Sequence, residues 1–253
     1  MSLQLAFPAR PGIGNHSHIR DVRATLRALL LEYARRFWYA MRRLWWSGYW
    51  HLEVEGVEHV PTRGPVLLCA NHVSHLDAPA ILASLPRAVA LRTSTAAAKD
   101  VFGDRPARSF VSRLLTNATP IQRCAESKGF ARGLRDLESV LEDRRPLILF
   151  PEGRRSPDGH MVEFKPGAAM LALRTGSPIV PIHLHGAFKA LPRNGKLPRP
   201  ANVRVRFGPP IDPRPYRKPV AEGRMTKREA YDALTERLRE EIRSMDVDES
   251  SAG

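Results

Sequence analysis

The 253-residue sequence predicts an α/β fold: one domain with a mostly parallel or mixed sheet flanked by helices, preceded by an amphipathic helical segment. Three observations carry that expectation. Apolar runs of strand length alternate along the chain with stretches of helical periodicity, as expected of strands joined by helical crossovers. The length suits one sizeable core and is too short for two large domains. Hydrophobic residues make up 43% and charged residues 26%, which is the composition of a globular protein and not of a disordered one.

The elements follow in order. Residues 1–19 hold Pro8, Pro11, Gly12 and Gly14 and read as a flexible leader. Across 20–50, Leu26, Leu29, Leu30, Tyr33, Phe37, Met41 and Leu44 recur at spacings of three and four, which makes a helical face. The same segment holds all 4 Trp of the chain (Trp38, Trp45, Trp46, Trp50) and seven Arg against Asp21 and Glu32. Trp and Tyr suit a lipid headgroup boundary, and neighbouring Arg attracts anionic lipid. The segment is expected to touch a membrane surface; docking on the protein's own core is the alternative.

Residues 51–243 are expected to form the domain proper. Val66–Ala70 and Ala88–Leu91 read as short strands, and Glu126–Asp143 as a helix with Phe130, Leu134, Leu137 and Leu141 on one face. Leu147–Phe150 reads as a buried strand, Gly167–Thr175 as a helix, and Ile179–Leu184 and Val203–Phe207 as further strands. Residues 186–228 are rich in Lys, Arg and Pro and read as basic, irregular surface. Tyr231, Leu234, Leu238 and Ile242 mark a terminal helix, and residues 244–253 a flexible tail.

The 40 Lys+Arg against 26 Asp+Glu leave a net charge of +14, and the pI is about 10.6. Such a charge calls for an anionic partner: nucleic acid, an anionic membrane, or a phosphorylated or CoA-like substrate. The two cysteines, Cys69 and Cys124, form no disulfide framework, which suits a reducing, cytosolic setting. No apolar run approaches the roughly 20 residues of a membrane-spanning helix, and no secretory signal is apparent. The expected location is peripheral, on the cytoplasmic face of the cell membrane.

Two segments carry chemistry. Asn71-His72-Val73-Ser74-His75-Leu76-Asp77 directly follows the strand Val66–Ala70. On a regular helix, positions five apart point about 140° away from each other, so His72 and Asp77 meet only if this segment is a turn. Asp77 suits an N-cap and Pro79 a first helical turn, which gives strand, tight turn, helix start. A carboxylate on one imidazole nitrogen fixes the tautomer and leaves the other as a base. No nucleophile-elbow pattern surrounds Ser74, so the substrate's own hydroxyl is the expected nucleophile. The alternative is that His72 and Asp77 merely shape and cap the turn.

Phe150-Pro151-Glu152-Gly153-Arg154-Arg155-Ser156 follows the strand at 147–150, at a carboxyl end where open α/β sheets bind ligands. Gly153 allows close backbone approach, and adjacent Arg154 and Arg155 offer donors that suit a phosphate. A solvated charged turn is the alternative. Arg123, in Thr119-Pro120-Ile121-Gln122-Arg123, is a third candidate anion ligand near a helix N-terminus, with a surface arginine as the alternative.

Taken together, these blocks resemble the glycerolipid acyltransferases. Asn71–Asp77 is similar to their His-x4-Asp block, and Phe150–Ser156 to their Phe-Pro-Glu-Gly-Thr-Arg-Ser block. Pro120–Arg123 stands where the intervening phosphate-site block falls, and Ile179-Val180-Pro181-Ile182 is similar to the proline-centred fourth block. The resemblance runs from about residue 50 to 210 and is greatest to bacterial 1-acylglycerol-3-phosphate acyltransferases. It implies that His72 is the base, with Asp77 orienting it. The base would deprotonate a lysophospholipid acceptor that attacks the thioester of acyl-CoA or acyl carrier protein. It also implies that Arg123 and Arg155 bind the acceptor's phosphate, that Glu152 and Gly153 shape the acceptor site, and that Arg154 and Lys165 lie within it. A thiolate of pKa about 8.5 leaves readily, so neither metal nor cofactor is expected. Arg154 and Gln122 depart from the family's usual threonine and acidic residue, which leaves the acceptor open among lysophosphatidate, glycerol 3-phosphate and other lysolipids.

Two rivals come from other classes. A metal-dependent hydrolase would use His72, His75 and Asp77, with His183 and His185, but these have no recognised ligand spacing. A nucleic-acid-binding protein would explain the charge, yet the basic stretch at 186–228 is interleaved with prolines and not with stacking aromatics, so no nucleic-acid partner is expected.

Overall fold

The computed structural model describes residues 51–98, 118–121, 127–192, 194–195 and 197–247, and, of the N-terminal segment, 29–30, 33–34, 36–37, 40–41, 44–46 and 48–50. Seven strands and seven helices follow one another as β1 (Leu52–Glu55), β2 (Val66–Ala70), α1 (Asp77–Ser84), α2 (Arg87–Ala90), β3 (Ser94–Ala98), β4 (Ala118–Ile121), α3 (Ser127–Glu142), β5 (Pro146–Leu149), α4 (Gly167–Thr175), β6 (Ile179–His185), α5 (Ala187–Ala190), β7 (Val203–Phe207), α6 (Arg214–Ala221) and α7 (Lys227–Val247) among the described residues.

The strands form one sheet in the order β1-β7-β6-β2-β5-β3-β4. The five strands β6, β2, β5, β3 and β4 run parallel, and β7 turns antiparallel to β6, with β1 parallel to β7. Strand β2 lies at the centre and is buried along its whole length. That explains why it reads as a continuous apolar run and not as an alternating one. Alternate residues of the central strands feed two cores. Leu68, Ala70, Ile148, Val180 and Ile182 face one of them, together with α1 and the buried Trp46 and Trp50. Leu67, Cys69, Leu147 and Ile179 face the other, against Leu134, Leu137 and Leu141 of α3, α4, and Leu234, Leu238 and Ile242 of α7.

Local chemistry sets the helix ends. Helix α4 begins after Pro166 and stops at Gly176, whose φ of 72° ordinary residues rarely adopt. Helix α7 opens on a capping box: Thr226 Oγ1 accepts the Glu229 N–H at 3.2 Å, and Glu229 Oε2 accepts the Thr226 N–H at 2.7 Å.

Three expectations need correction. Ala88–Leu91 is not a strand: Pro86 starts a helical turn, and its carbonyl accepts N–H groups from Val89 and Ala90. A four-residue apolar run carries no periodicity that separates strand from helix. Strands instead occur at Leu52–Glu55, Ser94–Ala98 and Ala118–Ile121, where apolar bulk is low. Residues 186–228 include helices α5 and α6 and so are less irregular than expected. Helix α7 continues to Val247, past the point where the tail was expected to begin. There the Met245 carbonyl accepts a hydrogen bond from Arg206, and Asp246 lies 3.5 Å from His183.

The N-terminal segment divides in two. Its described residues between 29 and 49 are helical, and Leu29, Leu30, Tyr33, Phe37, Met41 and Leu44 are exposed. Trp46 and Trp50, however, are core residues, 2% and 6% exposed, with ring centroids 4.5 Å apart. Trp50 Nε1–H donates to the Arg199 carbonyl at 3.0 Å, and its own carbonyl accepts the Val203 N–H. For these two tryptophans the alternative of docking on the protein's own core holds. Trp38 lies outside the described residues. Among the described residues, no helix is long and apolar enough to cross a membrane.

Candidate active site

Strands β2 and β5 are parallel neighbours, with Cys69 beside Leu149, so the segments that follow them emerge side by side at the carboxyl edge of the sheet. This places 71–77 against 150–156. Asn71 anchors the first turn: its Nδ2 donates to the Leu184 carbonyl at 3.1 Å, and its Oδ1 accepts the Leu184 N–H at 2.7 Å. Ser74 Oγ donates to the Leu191 carbonyl at 2.6 Å and accepts the Leu76 N–H, so its hydroxyl is engaged in holding the turn.

Asp77 is fully buried at the start of α1 and draws the turn around itself. Its Oδ2 accepts the His72 Nδ1–H at 2.7 Å and the Val73 and Ser74 N–H groups at 2.7 and 2.8 Å. The helix cap falls on Leu76, so Asp77 is not the N-cap that its sequence position suggested. Its carboxylate points back at the turn. With Nδ1 donating to Asp77, Nε2 of His72 carries the free lone pair, and the side chain stays partly exposed at 18%. The imidazole stacks on Phe150, centroids 4.0 Å apart and planes 17° apart.

The second segment holds the first from behind. Glu152 is buried; one carboxylate oxygen accepts the His72 N–H at 2.7 Å and the other the Val162 N–H at 3.2 Å. Burial pushes its carboxyl up to about 7, although both backbone hydrogen bonds pull the other way. The Ser156 N–H donates to the His72 carbonyl at 2.7 Å. Both main-chain polar groups of His72 are thus held by 150–156. Gly153 adopts φ +70°, and a Cβ there would lie 3.3 Å from Cδ, Cε and Nζ of Lys165.

Arg155 Nη1 donates to His75 Nδ1 at 2.8 Å, while Arg154 and Lys165 are exposed, Lys165 lying against Gly153. The structure therefore brings together His72, Asp77, Glu152, Gly153, Arg154, Arg155 and Lys165. Arg123 lies outside the described residues, although β4 ends at Ile121 on the same edge of the sheet. Glu152 is buried behind the histidine, where it positions main chain and is not an exposed acceptor ligand. The sequence reading assigned no role to Asn71 or Phe150. Their one signal was adjacency to His72 and Glu152 at the ends of apolar strands. Among the described residues, no three His, Cys, Asp or Glu side chains are arranged to hold a metal ion, and His183 faces Asp246 instead.

A histidine oriented by a buried carboxylate, at the edge of an α/β sheet where ligands bind, is the arrangement that general-base chemistry requires. Residues 51–185, more than half the chain, match the family model described as Acyltransferase, and the chain belongs to that family. A chloroplastic 1-acyl-sn-glycerol-3-phosphate acyltransferase of Arabidopsis thaliana is 29% identical over 193 residues, 71% of this chain and 50% of the relative. A 1-acyl-sn-glycerol-3-phosphate acyltransferase of Cocos nucifera is 32% identical over 165 residues, 63% of this chain and 49% of the relative. The chain spans about half the length of these curated relatives. Its fold is similar to the crystal structure of PlsC, the 1-acyl-sn-glycerophosphate acyltransferase of Thermotoga maritima. The TM-score is 0.64 and the identity 24%, over 91% of this chain and 83% of that one.

Proposed function

We propose that this protein transfers a fatty acyl group from a thioester, acyl-CoA or acyl carrier protein, to the free hydroxyl of 1-acylglycerol 3-phosphate, giving phosphatidic acid. The observation that carries the reading is the 2.7 Å bond between His72 Nδ1 and Asp77, which leaves Nε2 free to take a proton. As that proton moves to Nε2, the acceptor oxygen attacks the thioester carbonyl. Collapse of the tetrahedral intermediate breaks the C–S bond, and the imidazolium returns the proton to the departing thiolate. Base help of this kind is worth about 10²- to 10⁴-fold. Arg155, with Arg123, Arg154 and Lys165, supplies cations for the acceptor's phosphate. The names of the curated relatives support the acceptor.

The exposed row Leu29, Leu30, Tyr33, Phe37, Met41 and Leu44 supports peripheral membrane contact, and the net charge of +14 suits an anionic leaflet. The assignment is tested by thiol release from palmitoyl-CoA and palmitoyl-acyl carrier protein, with the acceptor present or withheld. Acceptor-dependent release is expected; release that ignores the acceptor would mark a thioesterase.

A further inference from the structure

We propose that the segment 197–201 forms a second lipid-facing surface, inserting Leu197 into an anionic bilayer beside the turn that carries His72. The inference rests on the peripheral-membrane reading above and extends it to a part of the chain far from the N-terminal segment in sequence. Leu197 is 79% exposed, more than any other large apolar side chain among the described residues. A single exposed leucine means little on its own. This one sits at the end of an aromatic patch. Tyr49 Oη donates to the Pro198 carbonyl at 3.3 Å, Trp50 Nε1 donates to the Arg199 carbonyl at 3.0 Å, and the half-exposed Trp45 stacks on Trp50 at 6.0 Å. The Arg199 N–H donates to the Ala190 carbonyl at 2.8 Å, which ties this segment to the end of α5.

Topology gives this patch its direction. Strand β7 is antiparallel to β6, so Val203 begins near where β6 ends, and before ending at His185 β6 pairs Ile182 with Ala70 and holds the Asn71 side chain through Leu184. The Leu191 carbonyl, directly after α5, holds Ser74 Oγ within the turn that carries His72. Leu197, Trp45 and Tyr49 therefore lie at the edge of the sheet that carries His72. Exposed Arg199, within the segment, and exposed Lys189, next to the Ala190 that holds it, add positive charge. Exposed leucine, interfacial aromatics and basic residues together match an anionic lipid surface, with the leucine buried below the headgroups and the cations among them.

The test places a polarity-sensitive fluorophore on a Leu197→Cys variant and, separately, on a Phe37→Cys variant, both with Cys124→Ser. Each is added to vesicles of phosphatidylcholine and phosphatidylglycerol that carry a nitroxide-labelled lipid. The probe at 197 is expected to shift to the blue and to be quenched by the nitroxide. A response at 37 with none at 197 would overturn the second surface and leave the membrane reading standing. Silence at both positions would overturn the two together. In addition, Leu197→Asp is expected to weaken vesicle binding about tenfold, the effect of withdrawing one leucine from an apolar medium. Unchanged binding would contradict the insertion.

Discussion

Glu152 accepts the main-chain N–H of His72 at 2.7 Å from a buried position, with its other oxygen on the Val162 N–H. The carboxylate thus ties the turn that carries His72 to the loop before α4. Its carboxyl is pushed up to about 7 by burial, against about 4.3 in an unfolded chain. Between those values the folded state binds the proton more tightly, so this group's contribution to stability is full at low pH and is lost as pH rises through about 7. Thermal unfolding of the wild type and of Glu152→Gln from pH 4 to 8 checks this. The wild type is expected to lose stability relative to the variant over that interval and to level off above it. Two parallel curves would contradict it.

Asp77→Asn replaces the carboxylate that accepts three hydrogen bonds with a neutral amide that keeps one acceptor oxygen and adds a donor NH2. It frees the imidazole to adopt the wrong tautomer. We expect kcat to fall by about 10²- to 10⁴-fold, with the acceptor KM changed only a few-fold. Near-normal turnover would show that the pair only shapes the turn.

Arg155→Ala is expected to act on acceptor binding. Loss of one charge-assisted hydrogen bond to phosphate corresponds to about a 10- to 100-fold rise in acceptor KM, with a smaller effect on kcat. A phosphate-free lysolipid, if turned over at all, is expected to show no such rise. Steady-state kinetics with both acceptors provide the comparison.

Trp46 and Phe37 belong to one segment but differ in burial, and the proposed function assigns them opposite roles. Trp46→Ala removes a side chain that is 2% exposed and is expected to cost about 3–5 kcal/mol of stability. Phe37→Ser removes one that is 69% exposed and is expected to change stability by less than about 0.5 kcal/mol while weakening vesicle binding. Chemical denaturation and vesicle sedimentation of the two variants separate core docking from membrane contact.

Much of the fold was legible because the central strands are buried on both faces. Val66–Ala70 is a strand with the bounds its apolar run implied, and Val203–Phe207 one with the bounds implied by apolar residues alternating with Arg204 and Arg206. Helix α4 was equally clear, set between Pro166 and Gly176. Strands β1 and β4 lie at the sheet edges and β3 beside β4, with short polar or alanine-rich sequences that leave no hydrophobic signal. The pairing of His72 with Asp77 was legible from the need for a turn between a strand and a helix. What Asn71, Phe150 and Glu152 do was not, because each acts on main chain or a ring across a gap in sequence that only the parallel register of β2, β5 and β6 closes. The tryptophans misled for a related reason: an aromatic face reads the same whether lipid or the protein's own core covers it.

The most direct measurement is thiol release from palmitoyl-CoA and palmitoyl-acyl carrier protein with 1-acylglycerol 3-phosphate, run in parallel on the wild type and on folded His72→Ala. We expect release that depends on the acceptor, yields phosphatidic acid, and falls by at least about 10²-fold in the variant. Acceptor-dependent release that survives intact in His72→Ala would contradict a reaction driven by this histidine.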